Sequence, residues 1–207
     1  MSETTVLLIR HAFVHNPGKV FYGRLPRFRI SDLGAKQANF LAEHLASTTI
    51  DQIYSSPLLR ARQTAAVVAG RQVTHTVRIA RALVEVRTGW MGAENHQLPE
   101  KINLYEPPHT ETDETITDVW TRVSQFVRQI AHRHAGQTVA CFSHGDPIVI
   151  AGAGFQGHPL TLASIRGPSY PHQCSITKVR FDDSVTPSGV TYLDVIRDLA
   201  PELASPY

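Results

Sequence analysis

Short apolar segments of strand length alternate with segments of helical periodicity along this chain, and this alternation constrains the fold more than any other feature. Two segments, 33–45 and 116–130, carry apolar side chains three and four positions apart, which is the spacing of one helix face. Four short apolar runs have the character of buried strands, at 5–9, 52–55, 74–79 and 138–142. Strands separated by helices favour a mostly parallel sheet with helices on both faces.

Capping residues mark the starts of three helices. Thr115 and Asp118 have the spacing of a capping box before the second helical segment. Ser56 and Asp146 each precede a proline, and both follow closely after an apolar run. Because proline lacks an N–H group and fits the first helical position, we expect Ser56 and Asp146 to cap helices that begin at those prolines.

The end of the chain has a different pattern. Segments 175–181 and 190–195 have strand character, and they flank the turn-rich segment 182–189. Two strands joined by a short turn pair antiparallel. The expected fold class is therefore α/β, with a mostly parallel sheet and a late antiparallel strand pair.

The amino-acid composition limits the classes of protein to which the chain can belong. With 207 residues, 42% of them hydrophobic and 18% charged, the chain suits one domain with a buried core, and we expect residues 1–207 to form it. The 20 basic and 18 acidic side chains give a formal charge of +2, too small for a protein that coats nucleic acid. Because no apolar run approaches the roughly 18 residues of a membrane span and no signal peptide is evident, we expect a cytoplasmic protein.

Three strands deliver cationic side chains where they end. The first is followed by Arg10 and His11, the second leads through a turn to Arg60, and the fourth leads to His144. Ligands of an open α/β sheet bind beyond the carboxyl ends of its strands, where helix N-termini also present free N–H groups. This convergence predicts a site for a dianion, and phosphate fits it best.

The two histidines offer chemistry beyond binding. Neutral imidazole is a nucleophile toward phosphorus, so in-line attack by His11 would form a phosphohistidine while Arg10, Arg60 and His144 stabilise the transferring oxygens. Glu85 is the best candidate for the acid that protonates the leaving oxygen, since a carboxyl group near a dianion has its pKa raised.

The motifs that contain these residues resemble those of the histidine phosphatase superfamily, in its phosphoglycerate-mutase-like branch. They occur in family order and span most of the chain: LIRHA at 8–12, SSPLLRARQTA at 55–65, LVE at 83–85 with GW at 89–90, and FSHGDP at 142–147. The resemblance implies a three-layer α/β/α sandwich with a mostly parallel central sheet.

The resemblance also implies a role for each site residue. It makes His11 the phosphorylated nucleophile and Glu85 the proton donor. It makes Arg10, Arg60 and His144 phosphate ligands, so that neither a metal nor another cofactor is required.

Some positions depart from the family pattern. Ala12 replaces the glycine that usually follows the nucleophilic histidine, and Val14 replaces a frequent hydroxyl residue. Asn16 stands one residue early relative to the family's phosphate-contacting asparagine, and we keep it as a candidate phosphate-binding residue. Asp146 is the alternative acid, because another branch places an aspartate directly after its second histidine. Here Gly145 intervenes, and the following proline favours a helix cap.

The expected function is hydrolysis of a small phosphomonoester by a metal-independent phosphatase. Two alternatives stay open: a cofactor-dependent phosphoglycerate mutase, and a non-catalytic phosphate-binding module. Segments 16–29 and 89–113 are expected to contact the leaving group, and 86–113 is a candidate lid or substrate loop. Neither nucleic acid nor a membrane is an expected partner, and nothing in the sequence indicates the oligomeric state.

Overall fold

The structure is a computed structural model that describes residues 3–73, 76–94, 96, 98, 103–166, 170–182 and 186–205. Within these residues the strands β1 to β6 are Thr4–Arg10, Gln52–Ser55, Val77–Ile79, Thr138–Ser143, Ile176–Phe181 and Pro187–Leu193. The helices α1 to α6 are Asp32–His44, Leu59–Ala69, Ile116–Arg133, Gly145–Phe155, Leu162–Ile165 and Val195–Leu199. Short 3₁₀ turns cover Arg81–Leu83 and Pro201–Leu203.

The strands form one sheet in the order β3-β2-β4-β1-β5-β6. β3, β2, β4 and β1 pair in parallel, and β5 and β6 add an antiparallel pair beside β1. The predicted α/β class, the mostly parallel sheet and the late antiparallel pair are therefore confirmed. β6 begins earlier than predicted, at Pro187. The strand predicted at 74–79 is observed as Val77–Ile79, and its first two residues lie outside the described part of the chain.

Helices cover both faces of the sheet, and β1 shows how one strand serves both. Val6 and Leu8 face the core beneath α3 and α4, whereas Leu7 and Ile9 face the core beneath α1, α2 and α6. All four side chains are at most 2% exposed. Successive side chains of a strand point to opposite faces, so a continuous apolar run is what a strand covered on both sides requires.

The parallel strands bring their carboxyl ends to one edge of the sheet. β1 ends at Arg10, β2 at Ser55 and β4 at Ser143, and the register pairs Arg10 with Ser143 and Ser55 with Phe142. α2 and α4 begin just beyond this edge. The residues that follow these three strands are therefore neighbours in space although they are far apart in the chain.

The predicted capping box of α3 is confirmed. Thr115 Oγ1 accepts a hydrogen bond from Asp118 N at 3.1 Å, and Asp118 Oδ2 accepts one from Thr115 N at 2.9 Å. The two side chains thereby satisfy N–H groups that the first turn of a helix leaves unpaired.

The caps predicted at Ser56 and Asp146 are wrong. α2 begins only at Leu59, two residues beyond Pro57, and its N-cap residue Leu58 makes no side-chain capping bond. α4 begins one residue before Asp146, which lies in its first turn. The Asp146 carboxylate instead binds side chains from distant parts of the chain, which are described below with the candidate site. Ser56 still accepts a local hydrogen bond from Leu58 N at 3.3 Å, but the helix itself begins only at Leu59.

Two further features concern the whole described chain. Cys141 and Cys174 are buried free thiols. Among the described residues, no helix combines the length and the apolar character needed to cross a membrane.

Gly34 allows α1 to pack against the loop that follows β1. A Cβ atom at this position would lie 2.1 Å from the backbone oxygen of Phe13. The same loop is tied to α1 by hydrogen bonds from Ser31 N to Phe13 O at 2.9 Å and from Phe13 N to Gln37 Oε1 at 2.8 Å. The helix and the loop beside His11 therefore cannot separate to admit a methyl group without breaking these bonds.

We expect Gly34→Ala to lower the free energy of unfolding by about 2 kcal/mol or more, because overpacking against backbone forces a shift of the main chain. Urea denaturation monitored by circular dichroism measures this free energy of unfolding. Gly70→Ala is the matched control, since a Cβ atom there meets its nearest neighbour at 3.5 Å. Equal stability of the two variants would contradict the packing argument.

Candidate active site

His11 directly follows β1 and is almost fully buried, with 2% of its surface exposed. Its Nδ1 lies 2.8 Å from the backbone oxygen of Ala12, and its Nε2 lies 3.1 Å from Nε of Arg60. A carbonyl oxygen only accepts and a guanidinium group only donates, so Nδ1 carries the proton and Nε2 carries the lone pair. The ring is therefore held in the tautomer whose Nε2 is the nucleophilic atom.

Arg60 is a buried arginine in the first turn of α2, with 1% of its surface exposed. Besides its bond to His11, it donates from Nη2 to the backbone oxygen of Gly23 at 2.7 Å. Its guanidinium carbon lies 4.7 Å from the ring centroid of Tyr22. These contacts hold the planar guanidinium group beside His11 and limit the orientations in which it can meet a ligand.

His144 is the fully buried N-cap residue of α4, and its ring centroid is 5.1 Å from that of His11. Its Nε2 lies 2.8 Å from Ser56 Oγ, which also accepts a hydrogen bond from Leu58 N at 3.3 Å. The Ser56 hydroxyl can therefore donate to Nε2, and the imidazole proton then lies on Nδ1. That Nδ1 is buried and has no hydrogen-bond partner among the described residues.

Arg10 is the last residue of β1. Its Nη1 donates to the backbone oxygen of Pro171 at 2.6 Å, while its Nε is buried and has no partner within the described chain. Burying a donor without an acceptor costs free energy, so such groups are rare in folded proteins. The unpaired donors of Arg10 and His144 therefore point to an anionic ligand as their missing partner.

Burial and positive charge keep both histidines neutral. Burial lowers the pKa of His11 well below its ordinary value, and the charges of Arg60 and Arg10 lower it further. Burial likewise lowers the pKa of His144, with Arg60 as the next largest cause. A neutral imidazole retains its lone pair at physiological pH, which is the state that a nucleophile needs.

Glu85 follows the 3₁₀ turn Arg81–Leu83. Its Oε1 accepts a hydrogen bond from Val86 N at 2.9 Å, and its Oε2 lies 4.0 Å from Nδ1 of His144. Burial, and then the negative charge of Asp146, raise the pKa of Glu85 to about 7, although Arg60 acts in the opposite direction. A carboxyl group with this pKa can both give and take a proton near neutral pH.

Comparison with known proteins agrees with this arrangement. The family model described as histidine phosphatase superfamily (branch 1) matches residues 6–188. The chain belongs to the histidine phosphatase superfamily. An uncharacterized protein of Mycobacterium tuberculosis is 34% identical to it over 153 residues, which cover 70% of this chain and 75% of that protein. Phosphoserine phosphatase 1 of Hydrogenobacter thermophilus is 33% identical over 153 residues, which cover 69% and 72% of the two chains.

A solved structure is also similar to this member of the superfamily. It is the phosphoserine phosphatase of Entamoeba histolytica in complex with 3-phosphoglyceric acid, with a TM-score of 0.75 and 25% sequence identity. The match covers 93% of this chain and 99% of that one.

Several residues that sequence analysis did not identify hold Glu85 in place. Arg24 Nε and Arg122 Nη2 both donate to the backbone oxygen of Glu85, at 2.6 and 3.3 Å. Glu114 in turn accepts hydrogen bonds from Arg24 at 2.7 Å and from Arg122 at 2.9 Å. Because three segments far apart in the chain meet here, no local sequence pattern identifies this support.

Asp146 is the other residue whose role the sequence did not reveal. Its buried carboxylate accepts hydrogen bonds from Tyr105 Oη at 2.6 Å, Tyr170 Oη at 2.7 Å and both terminal nitrogens of Arg166 at 2.7 and 2.9 Å. Burial alone would raise the pKa of Asp146, but the hydrogen bonds and charge of Arg166 outweigh it and the net shift is downward. Asp146 therefore stays ionised, which disfavours the alternative assignment of Asp146 as the acid.

A cavity of about 540 Å³ opens beside these groups, a size that suits a small organic ligand. On the side that faces the candidate site, the cavity is lined by Arg10 and Glu85. Most of its remaining wall comes from the loop after β1, from Leu104, and from residues near the chain's C-terminal part, among them Tyr170 and His172. The cavity therefore borders Arg10 and Glu85 of the candidate site.

The structure brings five of the six predicted site residues to one place. His11, Arg60, His144, Arg10 and Glu85 meet at the carboxyl edge of the sheet through the contacts given above. Asn16 lines the cavity, but both ends of its side-chain amide are bonded to the backbone of Val20, at 2.9 and 3.2 Å. Its predicted contact with phosphate would require these bonds to be exchanged, and it stays a prediction.

We expect Asp146→Asn to move the alkaline limb of the kcat/KM profile for an alkyl phosphate to lower pH. The asparagine removes a negative charge that raises the pKa of Glu85, so Glu85 loses its proton at lower pH, and we expect the activity that needs this proton to fall there. The measurement is kcat/KM as a function of pH, for the folded variant and for the wild type.

Asp198→Asn removes an exposed acidic side chain and serves as the matched control for the Asp146 variant. Its pH profile should coincide with that of the wild type. An alkaline limb that stays in place in Asp146→Asn would contradict the electrostatic link between Asp146 and Glu85.

Proposed function

We propose that this member of the histidine phosphatase superfamily hydrolyses a small phosphomonoester without a metal ion, through a phosphohistidine on His11. The observation that carries the proposal is the buried, neutral His11 with its Nε2 lone pair directed at Arg60, beside unpaired donors of Arg10 and His144. The similarity to a phosphoserine phosphatase over more than two thirds of both chains supports hydrolysis of a phosphoester.

In the first step, Nε2 of His11 attacks phosphorus in line with the ester oxygen. The N–P bond forms as the P–O bond to the leaving group breaks, and Glu85 gives its proton to the leaving oxygen. Arg10, Arg60 and His144 donate hydrogen bonds to the non-bridging oxygens and stabilise their charge in the transition state. The products are the free alcohol, phosphohistidine and an ionised Glu85.

In the second step, water attacks the phosphohistidine from the side that the alcohol has left. Glu85, now ionised, takes a proton from that water while the P–N bond breaks. Inorganic phosphate is released, His11 returns to the neutral tautomer and Glu85 is protonated again. A pKa of about 7 suits both duties, because each protonation state is readily reached near neutral pH.

The cationic side chains supply what a metal ion supplies in many phosphoryl-transfer enzymes. Two guanidinium groups and an imidazole N–H can bind the three non-bridging oxygens, and each arginine can donate two parallel hydrogen bonds. We propose that no metal or other cofactor takes part.

We further propose that residues 1–207 act as one domain, with segment 86–113 serving as a substrate loop. In the described part of that segment, Val86 and Leu104 line the cavity, and Tyr105 binds Asp146 beside it. We place the protein in the cytoplasm, since two buried and unpaired cysteines fit a reducing compartment.

The two alternative functions have less support from these residues. A module that only binds phosphate needs neither a nucleophile in its reactive tautomer nor an acid with a pKa of about 7. A phosphoglycerate mutase would use the same phosphohistidine, so product analysis separates it from a phosphatase. Incubation with 3-phosphoglycerate and the corresponding bisphosphate should release free phosphate, whereas isomer formation without phosphate would favour the mutase.

His11→Ala should lower the rate of aryl phosphate hydrolysis by about 1000-fold or more, because the variant lacks the atom that forms the covalent intermediate. The rate is measured from release of the coloured alcohol, and circular dichroism establishes that the variant is folded.

The matched control is His132→Ala, which removes an exposed imidazole near the end of α3. This variant should keep the wild-type rate, and EDTA should leave that rate unchanged. A folded His11→Ala protein with full activity would refute the proposed mechanism, and loss of activity in EDTA would refute metal independence.

A further inference from the structure

The main chain beside His11 is held by contacts with two neighbouring elements. His11 N donates a hydrogen bond to the backbone oxygen of Ser143, the last residue of β4, at 3.1 Å. Ala12 N donates to the hydroxyl oxygen of Thr64, in α2, at 3.0 Å. The first contact joins main chain to main chain, whereas the second makes the position of Ala12 depend on a single hydroxyl group.

The Thr64 hydroxyl has a second partner in its own helix. It donates to the backbone oxygen of Arg60, one turn earlier in α2, at 2.9 Å. A hydroxyl group has one proton to donate and lone pairs to accept with, so it can bind Arg60 O and Ala12 N at the same time. The Thr64 side chain is fully buried, and bulk water therefore does not compete for either bond.

These bonds close a ring that contains both imidazole nitrogens of His11. Ala12, held by Thr64, accepts the hydrogen bond from His11 Nδ1 at its carbonyl oxygen, at 2.8 Å. Arg60, whose carbonyl oxygen binds Thr64, donates from Nε to His11 Nε2 at 3.1 Å. All four residues are at most 2% exposed. The direction in which the imidazole points thus depends on where the Thr64 hydroxyl holds Ala12.

Arg60 depends less on this hydroxyl than Ala12 does. Its guanidinium group also donates to Gly23 O at 2.7 Å and lies 4.7 Å from the ring centroid of Tyr22. Loss of the Thr64 hydroxyl would leave these contacts intact, but it would leave the buried Ala12 N without its acceptor. Because an unpaired buried N–H group is unfavourable, the main chain at Ala12 would shift to find another partner.

We propose that Thr64 is a positioning residue for His11. Its hydroxyl holds Ala12, and the carbonyl of Ala12 holds the imidazole in the orientation that in-line attack on phosphorus requires. Thr64 does not line the cavity, so it acts through Ala12 and not on the substrate. The inference rests on the proposed function, because it assumes that His11 is the nucleophile.

Thr64→Val removes the hydroxyl and keeps the branched shape of the side chain. A shift of about 1 Å in a reacting group can cost about 100-fold in rate, so we expect the rate constant for phosphorylation by an aryl phosphate to fall about 100-fold. The inhibition constant of inorganic phosphate should change by less than about threefold, since Arg10, Arg60 and His144 keep their donors. Rapid mixing with excess enzyme gives the rate constant from release of the aryl alcohol, and competition with the substrate gives the inhibition constant.

Two further variants make the comparison specific. Thr64→Ser keeps the hydroxyl and should phosphorylate within about threefold of the wild-type rate. The matched control is Thr121→Val, in α3, because the exposed Thr121 hydroxyl donates to Thr117 O at 2.8 Å and so makes the same bond within a helix, far along the chain from His11. This control should keep the wild-type rate. If circular dichroism shows that Thr64→Val is not folded, Thr64→Ala takes its place, since it also lacks the hydroxyl.

A wild-type phosphorylation rate in the folded variant without the hydroxyl would overturn the inference. An equal loss of rate in Thr64→Ser would overturn it as well, because the hydroxyl would then not be the group that matters. So would a weakening of phosphate binding as large as the loss of rate, which would indicate damage to the whole site. Failure of the proposed function is distinguishable from these results, because the wild-type protein would then form no phosphohistidine.

Discussion

The hydrogen bond from Arg60 Nε to His11 Nε2 is the interaction on which the rest of this site depends. It places a permanent positive charge against the nitrogen that must stay unprotonated, and burial of both groups strengthens that effect. The carbonyl of Ala12 fixes the proton on the other ring nitrogen. A phosphoryl group that enters can then take over the Arg60 donors while His11 Nε2 is released for attack.

A buried arginine is costly unless its donors are satisfied, and the fold provides acceptors from several elements. Arg60 donates to His11 after β1 and to Gly23 in the loop that follows, so the β1 and β2 sides of the sheet edge are linked through one side chain. Two buried carboxyl groups near Arg60, those of Asp146 and Glu85, differ in their protonation. Asp146 is kept ionised by Arg166, and its charge in turn helps to keep a proton on Glu85. The two carboxyl groups therefore differ: Asp146 is ionised, whereas Glu85 has a pKa of about 7 and suits the proton-donor role proposed for it.

The sequence allowed the fold to be predicted well where the signals are local. The apolar runs of β1 and β4 and the capping box of α3 each depend on residues close together in the chain, and all are confirmed. The gathering of His11, Arg60 and His144 could also be predicted, because parallel strands must end at the same edge.

Contacts between distant residues account for what could not be predicted. Ser56 and Asp146 have the local pattern of helix caps, but Ser56 binds His144, and Asp146 binds Arg166 and Tyr170. For Asp146 the reason is energetic: a cap contributes about 1 kcal/mol, whereas a buried hydrogen bond to a charged group such as Arg166 contributes more, so the distant partner determines the side-chain position. The role of Arg24 in holding the Glu85 backbone depends on a residue 61 positions away, and periodicity carries no information about such pairs.

Direct detection of the covalent intermediate tests the central claim most sharply. A Glu85→Gln protein mixed with an aryl phosphate needs no acid to expel its good leaving group, but it lacks the base for the water step. Rapid mixing should therefore release up to one aryl alcohol per chain in a burst, and mass spectrometry after an alkaline quench should locate the phosphate on His11. Absence of a phosphorylated chain together with continued turnover, or phosphate on any other residue, would contradict the account.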